Sequence, residues 1–251
     1  MENRWPSASP DALRPLPQAI VLDKVWKFYG EYAAVRDFNL IVTEGSCCAL
    51  LGRNGAGKTT LLRVLAGLSP FQRGTVRLFG EAPRSEKARL RAGFLGHGIG
   101  VYEDLSAQEN LSFFARIVGL KAADDSVDFW LQRVGLARAA TAPVRQFSRG
   151  MRQRLALART FLHSPSVLLL DEPFTSLDDR AIAMLSELLL EARQRGATIV
   201  ISTHQLREAL LIASHVALIE NGKLRYSGER TEDMLHDPGL LYRHHMDAGA
   251  A

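Results

Sequence analysis

The chain has 251 residues, of which 47% are hydrophobic and 23% charged, and its formal net charge is +4. That composition is typical of a globular protein with one domain, or with a core domain and a subdomain. The absence of any run of about 18 apolar residues excludes a transmembrane helix, and the N-terminus lacks the apolar segment of a secretory signal. The basic residues are scattered, so we expect a solvated surface and no nucleic-acid partner.

The cysteines of the chain are adjacent, at Cys47 and Cys48, within an apolar stretch. Two adjacent cysteines do not form a disulfide framework, and such sparse use is typical of proteins from a reducing compartment. We interpret both as small core residues rather than as a metal site or a nucleophile.

In chain order, the sequence begins with a proline-rich stretch, residues 1–18, which we predict to be a flexible arm. Residues 19–51 alternate apolar and polar positions between glycine turns and predict several strands. A glycine-rich loop follows, and then a predicted helix over residues 59–66. We expect a second short strand pair between Gly67 and Gly80.

The second half of the chain predicts a helical insertion followed by a strand–helix–strand unit. Apolar side chains recur at helical spacing, which places a helical subdomain at about residues 98–163. Residues 167–170 and 198–201 are continuous apolar runs, typical of parallel strands buried on both faces. A helix is predicted between them, over residues 179–195. The sequence therefore predicts an α/β fold with a parallel sheet.

The glycine-rich loop carries the motif G-x-x-x-x-G-K-T at residues 52–59. Gly55 and Gly57 let the backbone curl so that its N–H groups point at phosphate oxygens. Lys58 brings a cation to the β- and γ-phosphates, and Thr59 presents a hydroxyl to Mg²⁺. The alternative, an ordinary glycine-rich loop, is disfavoured by the strand–loop–helix context. The predicted nucleoside triphosphate contacts are Gly52, Asn54, Gly55, Ala56, Gly57, Lys58, Thr59 and Thr60.

Two carboxylates, Asp171 and Glu172, follow directly on the apolar run 167–170. We expect Asp171 to hold Mg²⁺, directly or through water, and Glu172 to polarise the attacking water as general base. The alternative is an acidic pair that only stabilises the N-terminus of the next helix. The position of the pair at the end of a buried strand, downstream of the glycine-rich motif, favours the catalytic interpretation.

Just upstream of that strand, residues 147–151 read Phe-Ser-Arg-Gly-Met. This stretch resembles the signature sequence of the ATP-binding cassette (ABC) ATPases, usually Leu-Ser-Gly-Gly-Gln. Ser148 and Gly150 match, whereas Arg149 replaces the first glycine and Met151 the glutamine. In the family, this loop and the helix that follows complete the nucleotide site of the opposite subunit. Taken alone, the same residues also suit a serine-capped helix.

The resemblance covers residues 19–230. It implies a P-loop NTPase core of the ABC ATPase type, with a parallel sheet, an antiparallel β-subdomain and an inserted helical subdomain. Residues 231–251 would then be a C-terminal tail. It also implies that the chain binds ATP with Mg²⁺ and hydrolyses ATP to drive transport across a membrane.

Further positions match the family in order. Tyr29 falls where an aromatic ring stacks on adenine, with a strand-edge aromatic as the alternative, and residues 176–178 resemble the loop that links the two sites of a dimer. His204 resembles the switch histidine that contacts the γ-phosphate. One position departs, because His97 stands where a glutamine is usual. His97 is then either a ligand of Mg²⁺ or its water, or a solvated turn residue.

The resemblance implies two kinds of protein partner. Two such subunits, in a homodimer or with a second ABC ATPase, would sandwich two ATP molecules. A separate membrane subunit would dock in a groove lined by residues 97–120 and hold the chain at the cytoplasmic face of the membrane. The same stretch also predicts an ordinary helix start, because Ser106 and Glu109 make a capping box.

Residues 94–100, which contain the Leu-Gly-His step at 95–97, and the stretch 105–111 resemble the ATPase subunit of the haem exporter of cytochrome c maturation. Residues 148–153 also suit exporters of drugs, polysaccharides or lipids, and a soluble ABC ATPase for iron–sulfur cluster assembly is a further alternative. We interpret His244 and His245 as part of a solvated tail rather than as haem or metal ligands.

Overall fold

The computed structural model describes residues 17–96 and 100–245. Within these ranges the strands are β1 Gln18–Tyr29, β2 Tyr32–Thr43, β3 Cys47–Leu51, β4 Arg73–Leu78, β5 Ala92–Leu95, β6 Val167–Asp171, β7 Thr198–Ser202, β8 His215–Glu220 and β9 Lys223–Glu229. The helices are α1 Lys58–Leu65, α2 Glu86–Arg91, α3 Ala107–Ile117, α4 Ala123–Arg133, α5 Arg149–Phe161, α6 Asp179–Gln194, α7 Leu206–Ile212, α8 Glu232–His236 and α9 Leu240–His245. None of the helices in these two ranges has the length and apolarity needed to cross a membrane.

Six strands form a central sheet in the order β5-β6-β7-β3-β8-β9, in which all neighbours are parallel except β8 and β9. Strands β3, β6 and β7 are buried along their whole length, because both faces of the sheet pack against other elements. The predicted parallel pairing of the two apolar runs is confirmed, with Leu168 opposite Ile199. The chain therefore has the predicted α/β architecture.

A second sheet, with the order β2-β1-β4, is antiparallel and corresponds to the predicted β-subdomain. The prediction of a strand pair between Gly67 and Gly80 is wrong, because that stretch contains one strand, β4, which pairs with β1. The residues before β4 instead close the end of α1 and reach β1, where the Gln72 side chain accepts a hydrogen bond from the Phe28 N–H.

Helices α3, α4 and α5 form the predicted helical insertion between β5 and β6. The capping box at the start of α3 is confirmed: Ser106 Oγ accepts from the Glu109 N–H at 3.1 Å, and Glu109 Oε2 accepts from the Ser106 N–H at 2.8 Å. Trp130 on α4 packs on Phe161 on α5, with ring centroids 5.5 Å apart. The core of the insertion is continuous with one face of the central sheet.

The two cysteines lie next to each other on β3, so their side chains point to opposite faces of the sheet. Cys47 belongs to the core shared with the helical insertion, and Cys48 to the core shared with the antiparallel sheet. Both thiols are free, and burial raises the pKa of both, that of Cys48 to about 12. Their interpretation as core residues is confirmed.

The stretch predicted as a C-terminal tail contains two helices, α8 and α9, up to residue 245. Met234 and Leu241 are buried in a cluster with Leu51 of β3 and Leu218 of β8. The apolar side chains at these positions give the two helices a packing face, so residues 232–245 are part of the folded chain rather than a loose appendage. Residues 1–16 of the predicted arm lie outside the described residues.

Candidate active site

The carboxyl ends of β3, β6 and β7 meet at one edge of the central sheet, because these strands are parallel neighbours. A cleft of about 590 Å³ opens there. The residues predicted from sequence that line this cleft are Tyr29, Asn54, Gly55, Ala56, Gly57, Lys58, Thr59, Thr60, Glu172 and His204. The fold therefore brings the glycine-rich motif, one carboxylate and the distant tyrosine and histidine to one place.

The loop after β3 depends on glycines at close backbone approaches. A Cβ at Gly52 would lie 2.3 Å from the Ile219 carbonyl oxygen, and one at Gly57 would lie 2.6 Å from that of Ala34. Gly55 has free space around it but a φ of 81°, a conformation that other residues rarely adopt. The glycines of the motif are therefore required by the path of the loop.

Lys58 is the first residue of α1, and its side chain is almost fully buried. Its Nζ donates to the carbonyl oxygens of Gly52 at 2.7 Å and Arg53 at 3.2 Å. Burial lowers the pKa of Lys58, while the carboxylates of Glu172 and Asp171 oppose that change. The loop thus holds an ammonium group at the base of the cleft, where an anion can reach it.

Asp171 ends β6 and is 2% exposed. Its Oδ1 accepts a hydrogen bond from Ser202 Oγ on the neighbouring strand β7. Its Oδ2 is buried without a hydrogen-bond partner. A buried carboxylate oxygen without a partner is costly unless a ligand satisfies it, so Asp171 has the chemistry of a cation ligand.

Glu172 has a φ of 53°, a left-handed conformation that costs a non-glycine residue free energy. Its N–H donates to the Ser202 carbonyl oxygen at 2.8 Å, which fixes the turn after β6. Its Oε2 lies 2.8 Å from Nδ1 of His204 and accepts from the His204 N–H at 3.3 Å. The carboxylate and the imidazole therefore form a pair within the cleft.

The residues around Asp171 fit Mg²⁺. A buried carboxylate and the hydroxyl of Thr59 are oxygen ligands, which Mg²⁺ prefers, and Mg²⁺ takes its remaining ligands from phosphate and water. Within the described ranges no group of three or more His, Cys, Asp and Glu side chains forms a metal site of its own. His97, the doubtful ligand, lies outside the described residues.

Tyr29 and Tyr32 face each other across the hairpin between β1 and β2. Hydrogen bonds with the side chains of Ser69 and Thr60 orient the Tyr29 hydroxyl, and Lys27 Nζ lies 4.5 Å from the centroid of its ring. The ring of Tyr29 is half exposed and lines the cleft. Tyr32 also lines it but was not predicted, although its place opposite Tyr29 follows from the two-residue turn.

Comparison with known proteins places this geometry in a family. The family model described as "ABC transporter" matches residues 35–175 of the chain. The chain belongs to the ABC transporter family. It is an ATPase of that family, in which ATP hydrolysis is coupled to transport.

Individual relatives are similar to this chain over most of its length. The Nod factor export ATP-binding protein I of Ralstonia nicotianae is 38% identical over 217 residues, which cover 85% of this chain and 68% of that protein. The cytochrome c biogenesis ATP-binding export protein CcmA 2 of Cupriavidus metallidurans is 43% identical over 178 residues, which cover 70% of this chain and 84% of that protein. A solved ATP-binding subunit of an ABC transporter superposes with a TM-score of 0.80 at 29% identity, over 88% of this chain and 94% of that one.

The two residues that match the signature of the ABC ATPases, Ser148 and Gly150, lie beside the cleft rather than in it. Ser148 caps α5, its Oγ accepting from the Met151 N–H at 3.2 Å, as the capping alternative predicts. A Cβ at Gly150 would lie 3.3 Å from the Ser176 carbonyl oxygen, which packs the signature loop on the loop after β6. Among the described residues that line the cleft, neither Ser148 nor Gly150 appears.

Sequence reasoning missed further residues that contact the site. Arg149 and Thr175 line the cleft. Tyr242 on α9 shares a hydrogen bond with the backbone of Gly52, and burial raises its pKa above the usual value. Arg149 was visible as a departure from the family pattern, whereas Tyr242 carried no sequence signal because only the docking of α9 brings it to the glycine-rich loop.

Proposed function

We propose that this chain is the ATP-binding and ATP-hydrolysing subunit of an ABC exporter and powers a separate membrane subunit. The observation that carries the proposal is the convergence of Lys58, Glu172 and His204 on one cleft, with the unsatisfied Oδ2 of Asp171 at its edge. These are the groups that phosphoryl transfer to water needs: a cation at the phosphates, a metal ligand and a base.

Phosphate binding is assigned to the glycine-rich loop. The backbone N–H groups of residues 52–60 surround the β- and γ-phosphates, and the N-terminus of α1 adds its positive dipole. Lys58, held by two carbonyl oxygens, supplies the cation. Thr59 and Asp171 hold Mg²⁺, which neutralises phosphate charge when it is bound.

Hydrolysis is assigned to Glu172, as general base for the attacking water. Its left-handed backbone and its hydrogen bonds to His204 fix the carboxylate at the cleft. Because only one carboxylate oxygen contacts His204, the other is available to accept the proton of a water. His204 orients the carboxylate and contacts the γ-phosphate, and Tyr29 stacks on adenine.

Two chains, in a homodimer or with a second ABC ATPase, complete the sites. Ser148 and Gly150 lie at the start of α5 but outside the cleft of their own chain. The helix N-terminus at Ser148 suits a phosphate group, so we assign both residues to the nucleotide held by the opposite subunit. Each sandwich then contains two ATP molecules.

The membrane subunit docks against the helical insertion near α3. Tyr102, Phe113 and Ile117 leave large apolar areas exposed there, and the ring of Tyr102 lies 5.3 Å from that of Phe113. Clustered exposed aromatic side chains are typical of protein interfaces. The chain would thereby lie at the cytoplasmic face of a membrane as a peripheral subunit.

The cargo is assigned by similarity. The Leu-Gly-His step at residues 95–97 and the 43% identity to an export protein of cytochrome c biogenesis support haem export in that pathway. The 38% identity to a Nod factor export protein extends over more of this chain and supports a second candidate, export of a Nod factor-like molecule.

Co-purification tests the proposal. The tagged chain is captured from detergent-solubilised membranes of its host, and the proteins that accompany it are identified by mass spectrometry. Recovery of a multi-spanning subunit of the cytochrome c maturation system would support haem export. Recovery of a different multi-spanning protein would support an exporter with another cargo. Soluble partners alone would contradict the exporter and favour an assembly ATPase, such as one for iron–sulfur clusters.

A further inference from the structure

Arg149 has no part in the proposed hydrolysis, although it is one of the residues at which the signature sequence departs from the family pattern. It is the first residue of α5, where the family usually has glycine. Arg149 lines the cleft of its own chain, as do Lys58 and the glycine-rich loop. The neighbouring signature residues do not line that cleft, so Arg149 faces a different ligand from theirs.

A second cavity, of about 140 Å³, shows which end of the cleft Arg149 occupies. It is lined by Arg149, Gln153, Asp171 and Glu172, among others. Arg149 and Glu172 thus line both cavities. Arg149 therefore lies at the carboxylate end of the cleft, next to Asp171 and Glu172, which is the end where we propose that the terminal phosphate is hydrolysed.

Arg149 is a cation without a partner in the described part of the chain, since no ion pair or hydrogen bond joins its side chain to another described residue. Two neighbouring arginines differ. Arg145 pairs with Asp104 at 3.2 Å, and Arg152 pairs with Glu103 at 2.9 Å. A guanidinium that faces a cleft and neutralises no carboxylate is available to an anionic ligand.

The position of Arg149 relative to Glu172 is set by local contacts. Gln153, one turn further along α5, donates from Nε2 to the Pro173 carbonyl oxygen at 3.3 Å. Gly150 packs on the Ser176 carbonyl oxygen. The start of α5 is thereby fixed to the loop that carries the carboxylates.

We propose that Arg149 supplies a second cation to the terminal phosphate of the nucleotide bound in its own subunit, and so determines the preference for ATP over ADP. The inference rests on the proposed function of the cleft. The planar guanidinium forms paired hydrogen bonds with phosphate oxygens, and the γ-phosphate carries the charge nearest to the carboxylate end. The signature loop then serves both subunits, with Arg149 for its own site and the flanking residues for the opposite one.

Titration calorimetry tests this with Mg²⁺ and either ADP or the non-hydrolysable analogue AMP-PNP, at protein concentrations where the chain is monomeric by light scattering. Arg149→Met keeps the length of the side chain and removes its charge. We expect AMP-PNP affinity to fall by about tenfold, as for the loss of one charge-assisted contact, and ADP affinity to change by less than about twofold. Arg149→Lys should restore part of the loss.

Arg138→Met is the matched control, because Arg138 is an exposed arginine of the same insertion outside the cleft, and neither affinity should change. An AMP-PNP affinity that Arg149→Met leaves unchanged, or equal losses for both nucleotides, would overturn the inference while leaving the nucleotide site intact. A wild-type chain that binds neither nucleotide would contradict the proposed function as well.

Mixed dimers test which subunit Arg149 serves. A dimer of one Arg149→Met chain and one Lys58→Ala chain is compared with a dimer of one wild-type and one Lys58→Ala chain. If Arg149 acts on its own site, the first dimer hydrolyses ATP several times more slowly, since its intact glycine-rich loop lacks the arginine. Equal rates would overturn the inference, because the intact Arg149 of the opposite chain would then suffice.

Discussion

The two loops assigned to phosphate binding differ in how much of their environment a single chain provides. The half of the site at residues 52–58, the enclosed half, is held by contacts within its own chain: Lys58 is buried, and Gly52 and Gly57 lie against backbone oxygens, while residues 53–55 are exposed. The signature loop is open, with Ser148 and Arg149 exposed. This difference is what the proposed dimer predicts, in which one chain builds the binding half of the site and a second chain covers the other half.

The largest effect is expected at Glu172, the proposed general base. Glu172→Gln keeps the shape of the side chain but cannot accept a proton, so steady-state ATP hydrolysis should fall by about 10²–10⁴-fold while ATP affinity is retained. A phosphate-release assay measures the rate. Glu187→Gln, a change on α6 outside the cleft, is the control. Full activity of the Glu172→Gln variant would show that Glu172 is not the general base.

Loss of the buried cation should affect binding itself. Lys58→Ala removes the ammonium group that the loop holds with two carbonyl oxygens, so ATP affinity should fall by about tenfold to a hundredfold. Calorimetry with Mg²⁺–ATP measures the change, and Lys121→Ala, at an exposed position outside the cleft, should bind as the wild type does. An unchanged affinity would show that the phosphates of ATP do not bind at Lys58.

The same difference explains what the sequence predicts well. The enclosed half depends on local geometry, because a strand, a glycine-rich loop and a helix define the position of Lys58, and a buried apolar strand defines that of Asp171. The pairing of β4 with β1 was missed because it joins residues far apart in the chain. The contact of Tyr242 with Gly52 was missed for the same reason, since it depends on how α9 packs. Long-range packing leaves little trace in local patterns.

The tyrosine end of the cleft should contribute less to nucleotide affinity than the phosphate end. Tyr29→Ala removes the proposed stacking platform and should weaken ATP and ADP equally, by about 1 kcal/mol, the lower end of the range for stacking on one base. Tyr29→Phe keeps the ring and loses only the hydrogen bonds to Ser69 and Thr60, so its affinity should stay close to the wild-type value. Fluorescence titration of both variants separates stacking from hydrogen bonding. Equal losses in the two variants would argue against stacking.

The smallest effect is expected at Tyr242, a residue of α9 that contacts the glycine-rich loop at Gly52. Tyr242→Phe removes the hydrogen bond to the Gly52 backbone but keeps the packing of α9, so the free energy of unfolding should fall by about 1 kcal/mol. Urea denaturation measures this change. The control Tyr102→Phe, at a half-exposed ring on the helical insertion, should lower the free energy of unfolding by less. A Tyr242→Phe chain as stable as the wild type would show that the contact is not needed to hold the loop.

The molar mass of the Glu172→Gln chain in solution, measured by light scattering with Mg²⁺ and either ATP or ADP, tests most directly whether two chains share the site. If Glu172 is the general base, the variant binds ATP and hydrolyses it only slowly, so the glycine-rich loop of each chain should capture the open signature loop of the other. We predict twice the mass of one chain with ATP and a single chain with ADP. A single-chain mass with saturating ATP would contradict the two-chain site.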